Sequence, residues 1–248
     1  MSIRKKILAI SIGPVLVLGV ITLLFMLTMV KSSLMDEVQD ALKGTAAATL
    51  AAYDQNTGDY LESTNGDIWK GSYNISKSES LVDRIKENTG MDVTFFYGNK
   101  RIMTSALDKK GNRILGSEAG ERVVNQVIKG KKPFFSTNVS LDGTRNYGYF
   151  IPVYQNGTTD QVIGMVFVGT NKARKDAIVN KILGSIMMAL LVVMLLCIVT
   201  AMRMAASISK NIKNSVAVVG KLADGDLNVW VDEKLLKRKD EIGDLPRG

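Results

Sequence analysis

The sequence predicts an α+β domain held between two membrane-crossing helices, and two observations carry that prediction. The stretches Ile7–Val30 and Ile182–Met202 contain no charged residue. At ~1.5 Å rise per residue each is long enough to cross a ~30 Å hydrocarbon core. Between them the spacing of apolar residues changes from three-and-four to two, the pattern of helices followed by strands within one domain.

The first apolar run follows Arg4, Lys5 and Lys6, the flank of a signal peptide or of an anchor. A signal peptide's apolar region spans about 7 to 15 residues and ends in small side chains, whereas this run continues to Val30 and meets Lys31. An uncleaved anchor is therefore expected. Basic residues place both ends in the cytoplasm: Arg4, Lys5 and Lys6 before the first span, Arg203, Lys210 and Lys213 after the second. Lys172, Arg174, Lys175 and Lys181 oppose this, but long translocated domains are largely exempt from the rule. The expected organisation is a tail over 1–6, spans over 7–30 and 182–202, an extracellular domain over 31–181 and a cytoplasmic segment over 203–248.

The net charge of +8 is spread along the chain and forms no block suited to nucleic acid. No histidine is present, so a histidine metal site, a Ser-His-Asp triad and a phosphoacceptor histidine are excluded within these residues. The single cysteine, Cys197, falls inside the second span and leaves the exported domain without a disulfide. Neither catalysis nor a cofactor or metal is expected.

Leu34 to Leu61 reads as a helix, with Leu34, Val38, Ala41, Leu42, Thr45, Ala48, Thr49 and Ala52 recurring at three and four until QNTGDY and STNGD break the pattern. In SKSESLVDRIKENTG, Ser78 or Ser80 is placed to cap a second helix that Gly90 closes. Alternation then takes over: Val93, Phe95 and Tyr97 form a strand, Gly98-Asn99 a turn and RIMTSA its return. Glu118–Lys129 is expected to be helical, and FFSTNVS, RNYGYFIPVY and QVIGMVFVGT to form a three-strand meander.

The segment from Met91 to Thr170, closing on IPVYQNGTTDQVIGMVFVG, resembles the single Cache sensor domain of bacterial chemoreceptors, a PAS-like fold. That resemblance implies a small-molecule cavity lined by the central strands and the loop before them. Arg101 is the candidate anchor because a guanidinium pairs two-pronged with a carboxylate. Tyr147 and Tyr149, on one face of their strand, offer rings with hydroxyls, with Gly148 and Phe150 on the other face. Thr94, Phe96 and Thr104 complete the strand candidates, and Lys70 the loop. Exposed Arg at a turn is the commoner outcome for that residue type, and half-buried Tyr in a sheet is as ordinary as a ligand contact. The ligand expected is a small anion such as an organic acid or amino acid.

Beyond the second span, Ile208, Ile212, Ser215, Val219 and Leu222 make a short heptad seam. ADGDLNVWV follows with Leu227 and Val231, then DEIGDL with Ile242 and Leu245. This order resembles a HAMP relay, a parallel coiled coil that implies a homodimer, although the proline common near the start of its first helix is missing. Its second helix would begin at Asp240 with few residues remaining, so the chain is expected to be the front part of a longer receptor. The whole resembles the N-terminal half of a methyl-accepting chemotaxis protein, implying ligand sensing outside the cell and relay through the second span to cytoplasmic partners. A histidine kinase or cyclic-dinucleotide enzyme can follow the same front half, and a non-sensory anchor is the alternative of another class.

Overall fold

The computed structural model describes residues 3–224. Two long apolar helices and a mixed helix-and-sheet body make up two units, Met1–Thr28 with Leu183–Gly248 and Met29–Ile182. In the first unit, helix α1 (Ile3–Phe25) leads into a short π-helix, Met26–Val30, with Pro14 inside α1. Helix α5 (Lys172–Ala223) contains the whole of the second apolar run. Both helices are long and apolar enough to cross a membrane. Leu18, Leu24, Phe25, Met188, Leu195 and Leu196 stand exposed on them.

The second unit opens with helix α2 (Lys31–Asp54), which buries Val38, Leu42, Ala46, Thr49 and Tyr53 on one stripe. The expected continuation to Leu61 is not seen. The chain instead forms a small antiparallel sheet, β1 (Tyr60–Glu62), β2 (Ile68–Lys70) and β3 (Tyr73–Asn74), which period reading over such short strands does not reveal. Helix α3 (Glu79–Thr89) ends at Gly90, whose left-handed backbone (φ 68°) suits a residue without Cβ. Ser78 precedes α3 but does not cap it with its side chain. Its hydroxyl donates to the Ile75 carbonyl at 2.7 Å and shares a 2.9 Å bond with the Tyr53 hydroxyl.

Five antiparallel strands form the main sheet: β4 (Asp92–Tyr97), β5 (Lys100–Thr104), β6 (Phe134–Leu141), β7 (Thr144–Tyr154) and β8 (Val162–Asn171), in the order β5-β4-β8-β7-β6. Alternation divides their side chains between two cores. Val93, Phe95, Tyr147, Tyr149, Ile151, Val153, Val166 and Val168 pack towards α2 and α3. Phe96, Phe150, Met165 and Phe167 join Val127 and Leu141 on the other face. The helix expected over Glu118–Lys129 is shorter and of another kind, a single turn α4 (Glu121–Val123) continued as a π-helix, Val124–Lys129. Glu118 itself bridges to Lys100 at the sheet edge.

Helix α5 starts where β8 stops. The Asn171 side-chain oxygen accepts from the Arg174 amide at 3.0 Å, satisfying one of the free donors of the first turn. Ile208 and Ile212 are half-buried on α5, Val219 is exposed there, and Leu222 lies in the same helix. Leu227, Val231, Ile242 and Leu245 lie outside the described residues.

Candidate functional site

The sheet face turned away from α2 carries a cavity of about 500 Å³, within the ~300–1,000 Å³ usual for small-molecule sites. Its floor is aromatic: Phe96 from β4, Phe150 from β7 and Phe167 from β8, with Phe134 from β6 at the side. Phe150 and Phe167 have ring centroids 4.7 Å apart. The opposite wall is the segment Glu118–Val123, and Ser136, Thr137, Asn138 and Ser140 of the edge strand supply polar groups.

The floor depends on two glycines. Gly148 and Gly169 stand opposite one another on β7 and β8, and the Phe167 ring lies over the pair. A Cβ at Gly148 would sit 2.5 Å from Phe167 and 2.8 Å from Val139; one at Gly169 would sit 2.4 Å from the same ring. Replacing Gly148 with Ala therefore forces Phe167 upward into the cavity. The expected result is a loss of about 1–3 kcal/mol of stability from overpacking, together with weakened ligand binding, both read by melting curves with and without ligand.

Arg101 lines this cavity and is only 7% exposed. Its Nη1 donates to the Ile114 carbonyl at 3.3 Å, and its guanidinium lies 5.3 Å from the centre of the Phe96 ring. Its Nε is buried without any hydrogen-bond partner, and no carboxylate pairs with it among the described residues. Burial pushes its pKa down from the ordinary value, opposed by the charge of Asp92. A charge held in so dry a place without a counter-ion is costly, and an anion in the cavity would relieve that cost. Arg122 adds positive charge at the opposite wall, exposed and 5.4 Å from the centre of Phe134.

The residues singled out from sequence divide between the two faces. Arg101 and Phe96 line the cavity. Thr94 and Thr104 face each other across β4 and β5, their hydroxyls 2.7 Å apart; both are buried and neither lines the cavity. Tyr147 and Tyr149 belong to the α2-side core, and Lys70 is also outside the cavity. Lys70 is 2% exposed, 3.1 Å from Asp54 Oδ1 and 4.0 Å from the centre of Tyr60. Its long stem is buried while its charge meets a half-exposed carboxylate, a packing role. Replacing Tyr149 with Phe is expected to change ligand affinity less than twofold by titration calorimetry. Sequence reading missed Arg122, Phe134, Phe150 and Phe167 as lining residues. The alternation that put Phe150 opposite Tyr149 was the available signal, but it does not say which face is hollow.

A clamp ties the loop after β5 to α3. Arg113 donates to both carboxylate oxygens of Asp83, at 2.9 and 2.5 Å, and to the Thr104 carbonyl at 2.7 Å. The Arg113 hydrogen bonds are the largest cause holding the Asp83 pKa below the ordinary 3.8. A depressed folded-state pKa contributes stability above 3.8 that is lost as pH falls through the lower folded value. Acid below that range should loosen the 105–116 loop before the sheet, and Arg113→Ala should do so at neutral pH, both measurable by amide exchange.

Residues 73–182 match the family model "Single cache domain 3". Residues 73–182 carry a single Cache domain. The matched span runs from the start of β3 through the sheet and the cavity to the first turns of α5. Among solved structures, the chain is similar to an extracellular ligand binding receptor from Desulfohalobium retbaense DSM5692, with 16% identity and a TM-score of 0.41 over 59% of this chain and 25% of that one. It is also similar to "Methyl-accepting Chemotaxis protein X", with 15% identity and a TM-score of 0.34 over 58% of this chain and 62% of that one. The chain thus spans less than two thirds of either. No curated protein matches the sequence.

Proposed function

We propose that the chain is the sensory front half of a transmembrane receptor of the chemotaxis type, whose Cache cavity takes a small carboxylate with an apolar or aromatic body. Arg101 carries this reading: it is buried in a ligand-sized cavity with a free Nε and, among the described residues, no carboxylate partner. The phenylalanine floor supplies the complementary apolar surface, and offset ring contacts favour a planar or aromatic body. Both apolar helices cross the cell membrane, the Cache domain lies outside and both termini lie inside. Binding shifts an equilibrium between two states of the receptor, which α5 conveys to a dimeric HAMP coiled coil and then to cytoplasmic partners. The activity is binding and relay, without catalysis in these residues.

The test is a thermal-shift panel on the full chain in lipid nanodiscs, pairing each acid with its neutral amide, such as benzoate with benzamide and propionate with propionamide. A ligand at 100 times its Kd stabilises a folded domain by about 2.7 kcal/mol. Stabilisation by acids and not by their amides is expected. Equal stabilisation by both, or response to amines alone, would remove Arg101 from the role given to it.

A further inference from the structure

On the face of β7 away from the cavity, Tyr147 is tied to the first turns of the exit helix. Its hydroxyl donates to Asp176 Oδ1 at 2.5 Å and accepts from Lys172 Nζ at 2.6 Å. Lys172 and Asp176 are themselves paired at 3.2 Å, and the Lys172 ammonium lies 4.1 Å from the centre of the Tyr147 ring. Lys31, at the start of α2, adds its positive potential to Asp176. Tyr147 itself is 3% exposed, and its ring stacks on Phe135 at 6.3 Å and 9°.

The same residue stands beside the cavity wall. Strand β6 pairs Ser136 with Gly148 and Val139 with Asn146, and its register slips between those pairs, opposite Tyr147. Thr137 and Asn138, the residues within that bulge, line the cavity, as do Phe134, Phe135 and Ser136. A bulge is the place where a strand bends most readily. Next along β7, Gly148 underlies the Phe167 ring of the floor. Whatever moves the bulge or the floor therefore moves the strand on which Tyr147 sits.

We propose that Tyr147, Lys172 and Asp176 form a coupling latch that holds the head of the exit helix against the sheet, and that this latch is where cavity occupancy is passed to α5. The proposal rests on the sensory reading given above. Tyr147 acts as a positioning residue: it touches no cavity ligand, and its hydroxyl orients the helix head through two charged side chains. Removing the hydroxyl leaves the Phe135 stack and the Lys172 ring contact in place, so Tyr147→Phe separates the latch from the packing.

The experiment is hydrogen exchange on the full chain in nanodiscs, comparing wild type, Tyr147→Phe, Asp176→Asn and the double variant. In the ligand-free protein, Tyr147→Phe should speed exchange of the amides over 174–180 at least fivefold while β4, β7 and β8 keep their protection. The double variant should add little, because both changes break one network. A second arm adds 10 mM benzoate: wild type should change its exchange over 174–180, and Tyr147→Phe should still bind benzoate by titration calorimetry but show no such change. Unchanged exchange at the helix head in the ligand-free variant would overturn the latch, and so would loss of protection spread evenly over the sheet. If benzoate leaves the wild-type melting curve unmoved, the ligand class proposed above fails, while the ligand-free arm still decides the latch.

Discussion

Arg101→Met should abolish carboxylate binding while leaving the unliganded protein as stable as wild type or more so. Truncating one member of a buried charge pair costs 2–5 kcal/mol in comparable complexes, and each 1.4 kcal/mol is tenfold in affinity, so the loss should be at least about thirtyfold. The stability effect runs in the other direction because no carboxylate pairs with the guanidinium among the described residues. Its Nε has no partner, and its Nη1 has only the Ile114 carbonyl at 3.3 Å. A buried donor left unsatisfied costs about 1–3 kcal/mol, and methionine fills similar volume without that cost. Each kcal/mol recovered raises the melting temperature by roughly 2–4 °C in a domain of this size. Titration calorimetry with the acid panel and melting of the ligand-free chain together check both signs. A variant that melts lower and still binds would show that Arg101 is a packing residue.

Phe95→Ala should be the most destabilising single change in the Cache domain, by about 3–5 kcal/mol, as for a fully buried aromatic cut back to a methyl. Phe95 is 0% exposed and sits between two tyrosines, with ring centroids 5.2 Å from Tyr53 and 5.8 Å from Tyr60. It therefore joins α2, β1 and β4, and no neighbour can fill its place without leaving a gap elsewhere. Its sequence neighbour Phe96 points the opposite way, into the cavity. Phe96→Ala enlarges a space that already exists and removes the ring beneath Arg101, so it should cost less stability and more affinity. Urea unfolding of the two variants beside acid titrations would show the crossing; equal effects of the two on stability would contradict the division of the sheet into a solid and a hollow face.

Much of this arrangement was legible in the chain. Uncharged runs of membrane length identify α1 and α5 because no globular core needs so many consecutive apolar residues. Period-two alternation identifies β4, β5, β7 and β8, and Gly90 and the Gly98-Asn99 turn mark their limits, because each reflects a local rule of backbone geometry. Alternation also set Tyr149 and Phe150 on opposite faces. It could not say which face is hollow, since that depends on what packs above the sheet.

Only the tertiary structure decided that point. Helix α2 lies on the face of Phe95, Tyr147 and Tyr149 and fills it, whereas the short turn and π-helix over Glu121–Lys129 cover the other face and leave a cavity around Arg101. Tyr147 and Tyr149, singled out as candidate ligand contacts, pack into the α2-side core, whereas Phe96, also a candidate, and Phe150, set on the opposite face, form the cavity floor. The physical reason is that a residue's type and period record its wish to leave water, which local sequence encodes, while the neighbour that receives it is chosen by elements far away along the chain.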